Sequence, residues 1–423
     1  MPYRPRIVDQ ELDELLIGLP AIAVDGAKGV GKTATASRRA DHVIGLDDPA
    51  QLDVLRADPA WLASLDGTVL IDEWQRYPPV WDVVRRATDH GAGPGRYLLT
   101  GSATPVDAAI HSGAGRIVRL RMRPMSLAER SLVTSTVSLG GLLNGARPRV
   151  DGESPITLEG YVEEILASGF PGIRPLTGRS RRAQLAAYLD RVVDREFPEL
   201  GHQVRRPLTL RSWLAAYAAA TSTTTSYNAL LNAATPGQGE KPAKTTTIAY
   251  RDTLAHLYLL DPLPAWVPGR GHLGRLGQAP KHHLADPALA VTLLGTDAGK
   301  LLTGGSTTPP LPRDGALLGA LFESLVTLSV RVYAQQNEAR VSHLRLHDGR
   351  HEVDLIVERA DGAVIGLEVK LGNVIDDSDV AHLRWLRDKL GPQLLDAVVI
   401  TTGRTAYRRV DGIAVVPASL LGV

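Results

Sequence analysis

The run Gly26-Ala27-Lys28-Gly29-Val30-Gly31-Lys32-Thr33 constrains this chain more than any other stretch, because it directly follows the apolar segment Ala21-Ile22-Ala23-Val24. A buried strand that ends in a glycine-rich turn and then enters a helix can wrap a polyphosphate with backbone N–H groups, since glycine reaches φ > 0 conformations that a side chain forbids. Lys32 is placed to reach the β- and γ-phosphates, and the Thr33 hydroxyl to ligate Mg²⁺. The expected fold is therefore α/β around a parallel sheet, and the expected ligands are a nucleoside triphosphate and Mg²⁺, the loop reading phosphates and not the base.

A second segment supports this. Thr68-Val69-Leu70-Ile71-Asp72-Glu73 is an apolar strand that ends in two acids. Asp72 is the metal residue of that pattern, and Glu73 the group that orients and deprotonates an attacking water. A third strand, Arg96 to Thr100, runs into Gly101 and Ser102. Strand C-terminal ends converge on the ligand crevice of a parallel sheet, which makes Thr100 and Ser102 sensors of the γ-phosphate. Beyond it, Gly115-Arg116-Ile117-Val118-Arg119-Leu120-Arg121 alternates basic and apolar residues, so Arg119 and Arg121 share one face of a strand. Arg116 is the candidate for a positive charge offered to the γ-phosphate, within the chain or across a subunit boundary. An ordinary solvated edge strand accounts for the same alternation.

The chain has 423 residues, room for about three domains, and its 44% hydrophobic and 22% charged content is that of a globular protein. A net charge of +1 supplies no global basic field to draw nucleic acid, so any such contact has to be local. Without cysteine there are no disulfides, thiolate metal sites or cysteine nucleophiles. Only eight of the 47 basic residues are lysines, and Lys28, Lys32 and Lys370 already lie in motifs. The start lacks the pattern of a signal peptide and no apolar stretch approaches membrane-spanning length, so a cytoplasmic protein is expected.

Three breaks divide the chain, at 140–155, 235–247 and 304–312, the first with the composition of a loop or lid and the last that of a linker. The domains expected from them are 1–155, 156–303 and 304–423. Residues 180–193 and 208–220 have helical spacing, and Thr245-Thr246-Thr247 offers a capped start to a further helix. With the strand-like Pro264-Ala265-Trp266-Val267, this suits a winged helix-turn-helix, whose second helix enters a DNA major groove. That helix carries few cations, Lys244 and Arg251 with Lys241 just before it, so DNA and protein docking stay open.

In the last domain, His351 to Val357 and Ala363 to Lys370 read as two strands of a hairpin turning at Arg359-Ala360-Asp361-Gly362. Period two puts Glu352 with Asp354 and Glu368 with Lys370, and sends Val353, Leu355, Leu367 and Val369 to the other face. Asp354 and Glu368 brought together would share a second Mg²⁺ or Mn²⁺, with Lys370 positioning a water. An upstream helix at 321–325 offers Glu323 as a further acid. A hairpin with a solvated polar face, tied by Glu368 to Lys370, is the alternative.

The spacing from Asp354 to Glu368 and Lys370, with the helix near 379–390 and a strand at 395–401, resembles the PD-(D/E)XK nuclease core, although Val353 stands where the signature has proline. The whole set resembles the prokaryotic AAA-type P-loop ATPases that carry a C-terminal domain of restriction-endonuclease-like core. The resemblance rests on Gly26 to Thr33, Val69 to Glu73 with Gln75 and Pro78, Leu99 to Ser102, Gly115-Arg116 with Pro124 and Glu129, and the two C-terminal strands. It implies ATP hydrolysis and a winged-helix middle and leaves role and substrate open; action on or near DNA and assembly into a homo-oligomer are expectations set beside it. Two alternatives follow from the same residues: an ATP-gated metal-dependent nuclease, and a slow ATP switch that scaffolds protein partners.

Overall fold

The computed structural model describes residues 3–103, 115–200, 207–235, 244–267, 278–303, 315–346 and 350–423. The linker at 304–312, Lys241, and residues 236–243 of the second break lie outside these. The chain forms two compact units, one of Met1–Pro124 with Glu196–Gln203 and Ala249–Leu259, the other of Met125–Arg195, Val204–Ile248 and Leu260–Val423.

In the N-terminal unit, five parallel strands lie in the order β2-β3-β4-β1-β5: β1 (Ala21–Asp25), β2 (His42–Gly45), β3 (Val69–Asp72), β4 (Tyr97–Gly101) and β5 (Val118–Arg121). All five residues of β1 and of β4 are buried, as a central parallel strand requires when helices cover both faces. The core on one side gathers Leu55, Leu62, Val84, Leu99 and a tilted Trp74–Trp81 pair 4.7 Å apart. Register aligns Asp25 with Gly101 and Arg121, and Asp72 with Thr100, so four strand tips meet at one edge.

In the second unit, β6 (Val137–Ser138) is a short strand and the main sheet is built from β7 (Arg340–Arg345), β8 (Glu352–Glu358), β9 (Val364–Lys370), β10 (Leu394–Thr401), β11 (Tyr407–Arg408) and β12 (Ala414–Pro417), while β13 (Leu421–Gly422) pairs back on β6. The sheet order is β11-β12-β10-β9-β8-β7, with β9, β10 and β12 parallel and the remaining pairs antiparallel. Helix Gly315–Gln336 packs on β7, β8 and β9, and helix Ala381–Leu390 on β8, β9 and β10. The first of these is long and apolar enough to cross a membrane, with a mean hydropathy of 1.5 over its most apolar window, contrary to the expectation that no stretch is. Its apolar residues Leu318, Leu321, Phe322, Leu325 and Val330 form core instead, and Tyr161 meets Phe322 edge-on at 5.3 Å.

Three local expectations change. Strict alternation fails in β8, because the β7–β8 register shifts between Ser342 and Leu344: Val353 joins Ile356, not Leu355, in one core cluster. The segment at 140–155 is no lid. It begins inside helix Leu139–Leu143 and ends pinned, with Ser154 N donating to Arg404 O at 2.7 Å and Ser154 Oγ 2.7 Å from Ser419 Oγ. Pro264 to Val267 forms no strand; single bridges join Leu263 to Lys281 and Ala265 to His343. Helix Pro207–Ala219 packs on Tyr227–Ala234 and Pro287–Leu294, whereas from Ala249 onward helix Lys244–His256 belongs to the N-terminal unit.

Candidate active site

The turn from β1 into helix Lys32–Ala36 is glycine-dependent at three points. Gly29 and Gly31 hold φ 83° and 106°, the latter capping the helix, and a Cβ on Gly26 would strike the Met122 carbonyl oxygen. Around these, Ala27 and Val30 are buried, Lys28 is partly exposed and Gly29 is exposed. Lys32 is 5% exposed, and its ammonium donates to Gly26 O at 2.8 Å and Ala27 O at 3.0 Å. Burial brings its pKa down to about 8, against the opposing pull of Glu73 and Asp72. A buried ammonium that bonds to carbonyl dipoles is an anion site by its donor chemistry.

Facing it, the exposed Thr33 donates its hydroxyl to Asp72 at 2.9 and 3.1 Å. Thr100, fully buried at the tip of β4, also donates to Asp72. Hydroxyl and carboxylate side by side beside the phosphate loop fit a Mg²⁺ that rides on a nucleotide, which Thr33 and Asp72 would hold. Glu73 follows in the left-handed region at φ 54°, a strained conformation for a residue with a side chain. Its Oε2 accepts from Gln75 Nε2 at 2.6 Å and Ser102 Oγ at 3.3 Å, and Gln75 also donates to Ser102 Oγ at 3.2 Å. The two candidate sensors thus divide: Thr100 bonds to Asp72 and Ser102 to Glu73.

Arg116 is placed elsewhere. It precedes β5, whose Val118 pairs with Ile22 and Arg121 with Asp25, so it lies at the edge where the strands begin, roughly 20 Å from the loop at about 3.3 Å per residue. There its Nε meets Asp89 Oδ1 at 2.8 Å. Of the two roles open to it, within the chain or across a subunit boundary, this placement sets it apart from its own chain's loop. Other arginines lie nearer the loop: buried Arg6, whose Nη1 donates to Val30 O at 2.7 Å, Arg119, 3.2 Å from Asp25 Oδ2, and Arg121, which lies over the Tyr258 ring at 4.0 Å. Burial raises the Asp25 pKa, with Arg119 opposing. Asp25 and Tyr258 sit in no recognisable motif, which is why neither stood out in the sequence. Glu129 is a local cap, its Oε2 accepting from Ser126 N at 2.7 Å and Ser126 Oγ at 2.9 Å.

The C-terminal acids also converge, around a residue that no motif announced. Lys281 Nζ lies 2.9 Å from Glu323 Oε1, Glu352 Oε1 and Asp354 Oδ1. The other Asp354 oxygen accepts from Val369 N at 2.9 Å, and Lys370 pairs with Glu368 at 3.2 Å. Burial, reinforced by the Asp354 charge, pushes Glu323 up to about 8 and Glu368 well above the usual carboxylate range. Asp354 is held low: burial, the largest single influence, pushes it up but is outweighed by Lys281, the Val369 N–H and Lys370 together. The only hint of Lys281 in the sequence was the scarcity of lysine. On the helix expected to reach DNA, Arg251 is ion-paired with Asp252 at 2.8 Å.

A five-stranded parallel sheet carries the glycine-rich loop at the tip of β1 and the two acids at the tip of β3. Residues 19–131 match the family model described as an AAA domain, and residues 158–300 and 318–421 match two domains of unknown function, DUF8612 and DUF4143. The chain is 25% identical over 413 residues to the uncharacterized proteins Rv2008c of Mycobacterium tuberculosis and Mb2031c of Mycobacterium bovis, covering 94% of this chain and 80% of each relative. Among solved structures, the Walker-type ATPase PABY2304 of Pyrococcus abyssi matches 67% of this chain and 94% of its own, at 16% identity and a TM-score of 0.41.

Proposed function

We propose that this chain is a Mg²⁺-dependent ATPase that hydrolyses ATP in its N-terminal domain and uses the cycle to reposition the segments at 156–303 and 304–423. The observation that carries the reading is the meeting of Lys32, Thr33, Asp72, Glu73, Thr100 and Ser102 at one sheet edge. Lys32 and the loop amides of residues 26–33 hold the β- and γ-phosphates, while Thr33 and Asp72 hold Mg²⁺, which when bound neutralises charge on the transferred group. Glu73, oriented by Gln75 and Ser102, accepts the proton of the attacking water. Arg116 is exposed enough to serve a neighbouring copy, which makes its role one across a subunit boundary in a homo-oligomer.

The winged-helix reading of the middle segment and the endonuclease-like reading of the last supply the proposed link to DNA, in a cytoplasmic setting. The element order around β7 to β10, a helix, three strands, a helix and a strand, supports the second of these. Phosphate release by the purified chain, with and without single- and double-stranded DNA, tests the proposal. Lys32→Ala and Glu73→Gln are expected to lose hydrolysis by 10² or more, on the order of a general base and its substrate clamp. Rates equal to the unmutated chain would remove the reading, and rates indifferent to DNA would turn it toward protein partners.

A further inference from the structure

We propose that Lys281 is the resident cation of the C-terminal acidic cluster and closes it to divalent metal, so that this endonuclease-like unit holds no metal-dependent cleavage centre. An ammonium has three N–H donors. Those of Lys281 are matched by three carboxylate oxygens, from Glu323, Glu352 and Asp354, each at 2.9 Å. The second Asp354 oxygen is taken by Val369 N and Glu368 Oε2 by Lys370, so each of the four acids has at least one oxygen engaged by this chain, while Glu368 Oε1 is buried without a hydrogen-bond partner. A Mg²⁺ or Mn²⁺ drawing its ligands from these acids would stand within a few ångströms of a buried positive charge and deprive it of its counter-ions.

The lysine is not free to swing aside. Its side chain is 2% exposed. Its backbone exchanges two hydrogen bonds with Leu263, at 2.9 and 3.0 Å, and the next residue is tied on both sides, His282 N to Thr223 O at 2.9 Å and Ser222 N to His282 O at 2.8 Å. The register shift between Ser342 and Leu344, across from Asp354, aims that carboxylate at the ammonium. Among the described residues, no group of three or more His, Asp or Glu side chains is arranged to hold a metal.

The experiment titrates Mn²⁺ into the full-length protein without nucleotide and follows free Mn²⁺ by electron paramagnetic resonance. Wild type and Asp354→Asn are expected to retain Mn²⁺ identically, any retention at Thr33 and Asp72 being common to both. Lys281→Ala is expected to bind one Mn²⁺ at least tenfold more tightly than wild type, a gain absent from Lys281→Arg and abolished when Asp354→Asn is added. A Mn²⁺ held by wild type and lost in Asp354→Asn would overturn the proposal, as would a folded Lys281→Ala with no gain. If Lys281→Ala does not fold, the comparison of wild type with Asp354→Asn still decides. ATP hydrolysis, measured on the same samples, reports separately on the N-terminal site.

Discussion

Nucleotide affinity is expected to collapse above pH 8. Lys32 is buried beneath the phosphate loop, and the cost of desolvating its charge lowers its pKa from 10.5 to about 8. A bound triphosphate favours the charged ammonium, so above about pH 8 binding must first take up a proton. Well above that pH each further step of one weakens binding about tenfold, or about 1.4 kcal/mol, which makes the dissociation constant at pH 10 roughly fiftyfold higher than at pH 8. Stability runs the other way. The folded chain releases this proton at lower pH than the unfolded chain does, so between about pH 8 and 10.5 the unfolded state binds more protons and the nucleotide-free protein gains stability as pH rises. Titration of a non-hydrolysable fluorescent ATP analogue between pH 7 and 10 reads the effect, with Lys32→Arg, whose guanidinium stays charged, as the flat control. An affinity that stays constant from pH 8 to pH 10 in the unmutated chain would refute the argument.

Three further outcomes are expected. Gln75→Ala removes the 2.6 Å hydrogen bond to Glu73 and is expected to lower kcat about tenfold while leaving KM within about twofold, because the base loses its orientation and the phosphates keep their clamp; steady-state kinetics in which KM alone rises would count against it. Arg116→Ala is expected to leave single-turnover hydrolysis within about twofold at protein concentrations too low for assembly, since in its own chain Arg116 meets Asp89 far from the loop; a large loss there would bring it back as a same-chain residue. Glu164→Gln strands the guanidinium of Arg130, fully buried and 3.0 Å from Glu164, beside Arg174 at 2.7 Å from the same carboxylate. A loss of about 3–5 kcal/mol in urea unfolding is expected, and a change below about 1 kcal/mol would show that the charge finds another partner.

Elements built from local spacing were legible in the chain itself. The strand, loop and helix around Gly26 to Thr33, the acid-tipped strand at Val69 to Asp72, and the strands now seen at Glu352–Glu358 and Val364–Lys370 each depend on residues within a few positions of one another. Glycine's access to φ > 0, strand periodicity and burial of apolar runs act over that range, so a linear reading captures them. Placement across the fold was not legible in this way. That β4 lies between β1 and β3, bringing Thr100 to Asp72, is a property of sheet order. That Arg116 falls at the wrong edge follows from the register of β5 on β1.

The C-terminal acids make the contrast plainest. Their types and spacing are written along residues 323–370, but the charge that balances them comes from Lys281, 73 positions before Asp354. An acidic cluster has the same letters whether it folds around a metal or around an ammonium. Which cation it encloses depends on the free energy of bringing distant segments together and on the backbone pairing of Leu263 with Lys281 that holds the nitrogen in place. Short-range rules therefore settled which elements form and which side chains can do chemistry, while long-range packing selected the partners those side chains meet.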